Sequence, residues 1–314
     1  MARLLTRHFA AGGSLRAVRW RAMFDLNATT LLIVHVALVA NLAPIRLDDP
    51  DGAGFAIDDS RRRPVSLTSI ALSMNVPHET IRRQAFDLQR RGILQKVGRG
   101  WIVPAALMTA GPGKALVAAD TAALVAIVGD LARLGSASAQ GIAPVALRAL
   151  PPDLVARLWN EFCVLTAEVA RELCGSMLDF SLFMAIIRMN VEHINADPER
   201  TRRHAAPNAI PADSDRLPAS LRALARAEQL PYPTVRRRVS ALVTRGLVEN
   251  VEEGVIVPAR VHGSELMVRN SALYIQRIEK LLADLKRLCG DAARPRAVAS
   301  AERLADRHLP EPTL

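Results

Sequence analysis

The stretch VPHETIRRQAFDLQRRGIL, from Val76 to Leu94, returns as LPYPTVRRRVSALVTRGLV, from Leu230 to Val248. Its two prolines, Pro77 and Pro231, stand 154 positions apart (231 less 77). The same separation relates Asp59, Ser60, Arg62, Pro64, Ser66 and Leu67 to Asp213, Ser214, Arg216, Pro218, Ser220 and Leu221, and Ile102, Val103 and Pro104 to Ile256, Val257 and Pro258. It also relates Asp130, Leu131, Arg133 and Leu134 to Asp284, Leu285, Arg287 and Leu288, and it pairs Asn41, Pro44 and Arg46 with Asn195, Pro198 and Arg200. Even the opening Ala2 to Leu4 repeats as Ala156 to Leu158. The chain therefore reads as a tandem duplication. A solenoid repeat spans only ~20 to 50 residues, so each unit is expected to be a domain with its own core. The seam falls near Leu150 to Asp153, giving units 1–153 and 154–314.

Each unit carries the same order of signals. A helix opens it, residues 3–21 and 154–173, followed by an apolar helix around Thr29 to Asn41 and Phe183 to Asn195. A long polar loop comes next, residues 45–64 and 196–218, with the basic clusters Arg61-Arg62-Arg63 and Arg200 through His204; these are candidate arms for a groove. Val65 to Leu67 is expected to form a short strand. Two short helices then flank a turn at Asn75 to Pro77, with Pro77 in the first helical position and Gly92 as the C-terminal cap. The segments around Gly98-Arg99-Gly100 predict a hairpin, and a last helix covers residues 118–134 and 272–288. The fold class is mainly α with small β-hairpins.

Of 314 residues, 41 are Lys or Arg and 31 Asp or Glu, a formal charge of +10 that favours an anionic partner. Three cysteines, Cys163, Cys174 and Cys289, lie at neither disulfide-framework nor zinc spacing, so no metal is expected and a reducing cytoplasm fits. Residues 1–20 have the arginines of a transit peptide, but their recurrence in mid-chain makes them structural. The run at Thr29 to Asn41 is shorter than the ~20 residues of a membrane span, and its counterpart carries Arg188, Glu192 and His193, so no membrane is expected.

The duplicated stretch resembles the helix-turn-helix of bacterial transcription regulators of the GntR, IclR and MarR style. Ala71, Val76, Pro77, Thr80, Ile81, Leu88, Gly92 and Ile93 carry the pattern, as do Ala225, Leu230, Pro231, Thr234, Val235, Leu242, Gly246 and Leu247. The resemblance covers about sixty residues per copy. It implies winged helices at about 24–108 and 178–262, arranged as a covalent pseudo-dimer whose flanking helices pack across a pseudo-twofold axis. It implies also a sequence-specific, double-stranded DNA-binding regulator in the cytoplasm, at the nucleoid, with the transcription machinery as a further partner. Homodimerisation into four heads stays open. So do two alternatives, a plasmid-type replication initiator and a protein-interaction scaffold.

Helical periodicity assigns the site independently. A step of about 100° per residue places Ile81, Ala85 and Leu88 on one side of the second helix and Glu79, Arg82, Arg83, Phe86 and Arg90 away from it. Arginine suits guanine's major-groove edge or a phosphate, and Thr80 and Thr234 near the helix starts suit phosphate. The second copy offers Tyr232, Arg236, Arg237 and Ser240; His78 completes the first. Phe86 reads as packing on the hairpin rather than touching a thymine methyl. Hairpin one brings Lys96 and Arg99 to a phosphate backbone, whereas hairpin two offers Glu249, Asn250, Glu252 and Glu253, which phosphates repel. AGPGKAL, at Ala110 to Leu116, lacks the residues of a phosphate loop and reads as a linker. His35 reads as a packed histidine, and nothing nominates a catalytic constellation or a cofactor.

Overall fold

The computed structural model describes residues 2–293 apart from residues 50, 205, 207 and 208; the last part of the second unit, 294–314, lies outside the described residues. The first half runs α1 (Ala2–Phe24), α2 (Ala28–Leu42), α3 (Leu67–Met74), α4 (His78–Arg90), β1 (Gln95–Val97), β2 (Gly100–Ile102), α5 (Ala105–Thr109), α6 (Gly111–Arg133) and α7 (Pro144–Ala149). The second runs α8 (Pro152–Leu165), α9 (Ala167–Cys174), α10 (Met177–Asn195), α11 (Pro198–Arg203), α12 (Leu221–Ala227), α13 (Tyr232–Thr244), β3 (Glu249–Val251), β4 (Gly254–Ile256), α14 (Ala259–His262) and α15 (Glu265–Ala293). Helices dominate, and β1-β2 and β3-β4 are two-stranded antiparallel hairpins.

Local chemistry sets the corresponding boundaries. Ser66 and Ser220 cap α3 and α12 by accepting from the backbone N–H of Ser69 and Ala223. Asn75 and Gln229, at φ 52° and 50°, make the left-handed turns that aim α4 and α13 away from them. Pro77 and Pro231 are N-caps rather than first helical residues. Each is extended, and its carbonyl already accepts from the residues three and four further on. The strand expected at Val65 reduces to a single bridge to Trp101, because Ser66 turns the chain into α3; Ala219 bridges Val255 in the same way.

A network of amide contacts corrects the register of the duplication. Asn41 donates to the carbonyls of Arg63 and Trp101 and accepts from the N–H of Val103. The residue that donates to Leu217 and Val255 and accepts from Val257 is Asn190, not Asn195. Asn41 and Arg63 are 22 positions apart, Asn190 and Leu217 are 27, so the second loop is five residues longer (27 less 22). Upstream of it the halves correspond at 149, as the helix caps Asn27 and Ser176 also do (176 less 27). The matches of Asn41 with Asn195 and of Ala2 with Ala156 are coincidences of that slip.

The long loops are held in place, and two more expectations give way. Arg62 is buried, pairs with Asp59 and donates to the carbonyls of Phe55 and Ile57, while Asp59 accepts from the N–H of Ala105. Arg216, Asp213 and Ala259 repeat this staple. Residues 111–117 are the first turns of α6 rather than a linker, since Pro112 is harmless in a first turn. The opening helix of the second half divides into α8 and α9 at Thr166, whose hydroxyl donates to the Cys163 carbonyl.

The hydrophobic core has three parts. One cluster gathers α2 to α6 with the β1-β2 hairpin, around Ile33, Leu38, Ile70, Ile81, Leu88 and Trp101; another gathers α10 with α12 to α14 and the β3-β4 hairpin, around Phe183, Leu224, Val235 and Leu242. The third belongs to both halves and includes Phe9, Leu124, Val128, Trp159, Tyr274 and Leu285. The seam near residue 153 thus runs through a shared core, and the opening helices are exchanged across it. α8 lies against α2 and α6 of the first half, while α1 spans the two halves, against α6 of the first and α10 and α15 of the second. Arg157 on α8 fastens this exchange by donating to the carbonyls of Leu42, Ile45 and Ala53. Each fully buried apolar side chain in the shared cluster is worth about 1.5–3 kcal/mol, so the two halves are held as one body.

By length and composition α6 is apolar enough to cross a membrane, with 23 residues and mean hydropathy 1.8 over its most apolar stretch. In this fold it packs on α1, α5 and α8, and its Asp120 is buried in an ion pair with Arg16.

Candidate nucleic-acid interface

α4 buries Ile81, Ala85 and Leu88 against α2 and α3, the three positions that the helical period placed inward. His78, Glu79, Arg82, Arg83 and Arg90 are exposed on the rest of its surface, and Thr80 is half-buried. Arg82 donates through Nε and Nη2 to the two carboxylate oxygens of Glu79, each at 2.8 Å. These charge-assisted bonds hold the Glu79 carboxyl below the usual range and raise the guanidinium. Arg90 pairs with Asp87 at 2.7 Å. Arg83 makes no ion pair among the described residues and is the cation on this helix most available to an external anion.

Phe86 meets Trp101 of the hairpin edge-on, with ring centroids 5.5 Å apart, and the Arg82 guanidinium lies over its other side at 5.8 Å. The ring thus joins α4 to β2 while staying 39% exposed. Lys96 on β1 and Arg99 in the hairpin turn are exposed beside it. Arg91 turns away from this surface and donates to the carbonyls of Phe24 and Asp25, tying α4 to the end of α1.

In the second half α13 buries Val235, Val239 and Leu242 and exposes Tyr232, Arg236, Arg237 and Ser240, with Thr234 half-buried. Arg236 and Arg237 make no ion pair among the described residues, whereas Arg238 pairs with Asp179 at 3.4 Å. Sequence reasoning placed two free cations here, and the geometry brings both to the surface. The hairpin differs from the first in charge. Glu249 is neutralised by Arg260, and Glu252 and Glu253 stand exposed in and beside the turn.

Most of the arginines of the proposed arms are engaged within the chain. Arg61 pairs with Asp49 at 2.8 Å, Arg62 is the buried staple, and only Arg63 of the three is exposed. In the second loop Arg200, Arg202 and Arg203 all lie on α11 and are exposed, Arg200 paired with Asp197 and Arg203 with Glu199.

Sequence reasoning missed a buried polar network between α1, α2 and α6. Asp120 accepts from Arg16 at 2.7 Å and from the indole N–H of Trp20 at 2.9 Å, with Arg19 at 3.3 Å. His35 lies 3.3 Å from the Arg16 guanidinium and edge-on to Trp20; burial, and then Arg16, hold its pKa well below the usual value, so the ring is neutral and accepts. No group of His, Cys, Asp and Glu side chains among the described residues is placed to hold a metal ion. No protein-family model matches the chain, and neither the curated proteins nor the solved structures compared with it include a similar one.

Proposed function

We propose that the chain is a transcription regulator that reads duplex DNA with two winged-helix heads, α3-α4-β1-β2 and α12-α13-β3-β4, held as a covalent pseudo-dimer. The observation that carries this reading is the pair of second helices. Each follows a left-handed turn, precedes a hairpin, buries one apolar stripe and presents unpaired arginine, Arg83 on one and Arg236 with Arg237 on the other. Guanidinium groups presented so can take guanine acceptors or phosphates. The shared core, with its exchanged helices, supports the pseudo-dimer, since the second head then binds at a high effective concentration. In this reading the protein is no enzyme, takes no cofactor or metal, and works at the nucleoid in the cytoplasm.

One observation favours a second reading for the second head alone. In the second hairpin Glu253 stands where the first has Arg99, Glu252 precedes it, and Asn250 replaces Lys96, which suits a protein partner better than phosphate. Genome-wide immunoprecipitation of the wild type beside Arg82→Ala/Arg83→Ala and Arg236→Ala/Arg237→Ala separates the readings. Enrichment at promoters lost in both variants supports two heads. Loss in the first variant only assigns the second head to protein, and no enrichment in the wild type overturns the DNA reading.

A further inference from the structure

The halves differ most where the exchanged helices cross. At the 149 separation Trp159 and Asn160 of α8 correspond to Ala10 and Ala11 of α1, which are followed by Gly12 and Gly13. On the α8 side Trp159 is fully buried, and Asn160 donates to the His35 carbonyl of α2. On the α1 side the same crossing, against α10 and α15, is left open: a cavity of about 320 Å³ lies between Ala11, Ile187, Val191, Val268 and Ile275. That volume is within the ~300–1,000 Å³ of small-molecule sites, and its walls are mainly apolar.

The charges lining it all have one sign. Arg7, Arg188 and Arg216 line the cavity, with His262, and no carboxylate does so among the described residues. Arg216 is already held by Asp213. Arg188 makes no ion pair or hydrogen bond among the described residues; Arg7 has the Thr201 carbonyl at 3.3 Å and no ion pair. The Nε atoms of both are buried without a partner among the described residues. Burial lowers the Arg7 pKa, as expected of a guanidinium short of counter-charge. Glu228, which feels Arg188 electrostatically, is taken by Ser14, Ser181 and Arg21. Both side chains are half-buried, and buried polar atoms without a partner in a native fold call for one.

From the apolar cavity and its two under-satisfied guanidinium groups, we propose that this cleft between α1, α10 and α15 binds a small organic carboxylate, with its apolar body between the helices and its carboxylate on Arg7 and Arg188. The assignment is independent of DNA binding. Because the walls come from both halves, such a ligand would bear on how they sit together.

Titration calorimetry of the full chain with decanoate, and with decanol as the neutral probe of equal length, tests it. One saturable site for decanoate is expected, with decanol at least about tenfold weaker. Arg188→Met should weaken decanoate by about tenfold or more while leaving decanol unchanged. Ala11→Leu, which fills the cavity, should abolish both. Arg202→Met, on the exposed surface of α11, should change neither. Absence of decanoate binding, equal binding of acid and alcohol, or an equal effect of Arg202→Met and Arg188→Met would overturn the proposal. If Ala11→Leu does not fold, the probe comparison and Arg188→Met decide.

Discussion

At the scale of single residues, this protein places charge in its interior and satisfies it with partners distant in sequence. Asp120 and Arg16 are 104 positions apart, and each is essentially inaccessible. Removing one partner of a buried pair leaves the other charge uncompensated, so Asp120→Asn is expected to cost about 3–5 kcal/mol in urea unfolding. Glu228 is the opposite case. Burial first of all raises its pKa, against the hydrogen bonds from Ser181 and Ser14. A carboxyl whose folded pKa is raised contributes stability that is complete below its unfolded value and is lost as pH rises through the folded one. Glu228→Gln removes that loss, so its melting temperature relative to the wild type should be higher at about pH 8 than at about pH 4. The 3.6-residue period made the inward face of α4 legible, because burial there is a local repeat. The Asp120 network was not legible: an acid in an apolar helix gives no sign of its partner.

At the scale of elements, the duplication preserves how each hairpin meets the strand-like segment before its first helix. A Cβ on Gly254 would stand 2.5 Å from the Ala219 carbonyl oxygen, and one on Gly100 would stand 2.6 Å from Pro64 Cβ. The Gly254 contact is with backbone, and its φ of +153° adds strain for any other residue. Gly254→Ala should therefore cost about 1–3 kcal/mol in denaturant unfolding, and more than Gly100→Ala, which meets Pro64 about as closely but without a positive φ. The hairpins themselves could be read from the glycines between apolar runs. The register upstream could not. The five-residue difference lies in loops without a periodic signal, and Asn195 stood by chance where a gapless alignment wanted an asparagine. Only the donors and acceptors around Asn190 reveal the true correspondence.

At the scale of the whole molecule, the exchange of α1 and α8 decides the architecture. Sequence pattern marks both segments as helices but cannot say which half each will cover, because that choice rests on contacts between distant segments. The consequence can be checked by expressing residues 1–150 and 151–314 as separate chains. Each alone exposes its share of the common core and is expected to aggregate, while co-expression should give a one-to-one complex by size exclusion. Two halves that fold separately as monomers would contradict the exchange. The central claim, two DNA-reading heads on that frame, is tested most directly by selecting binding sites from random duplex DNA with the purified chain. The account predicts enriched sequences with two unlike half-sites at a fixed spacing of about one helical turn, reduced to one half-site by Arg236→Ala/Arg237→Ala. A pool that remains random after repeated selection would contradict it.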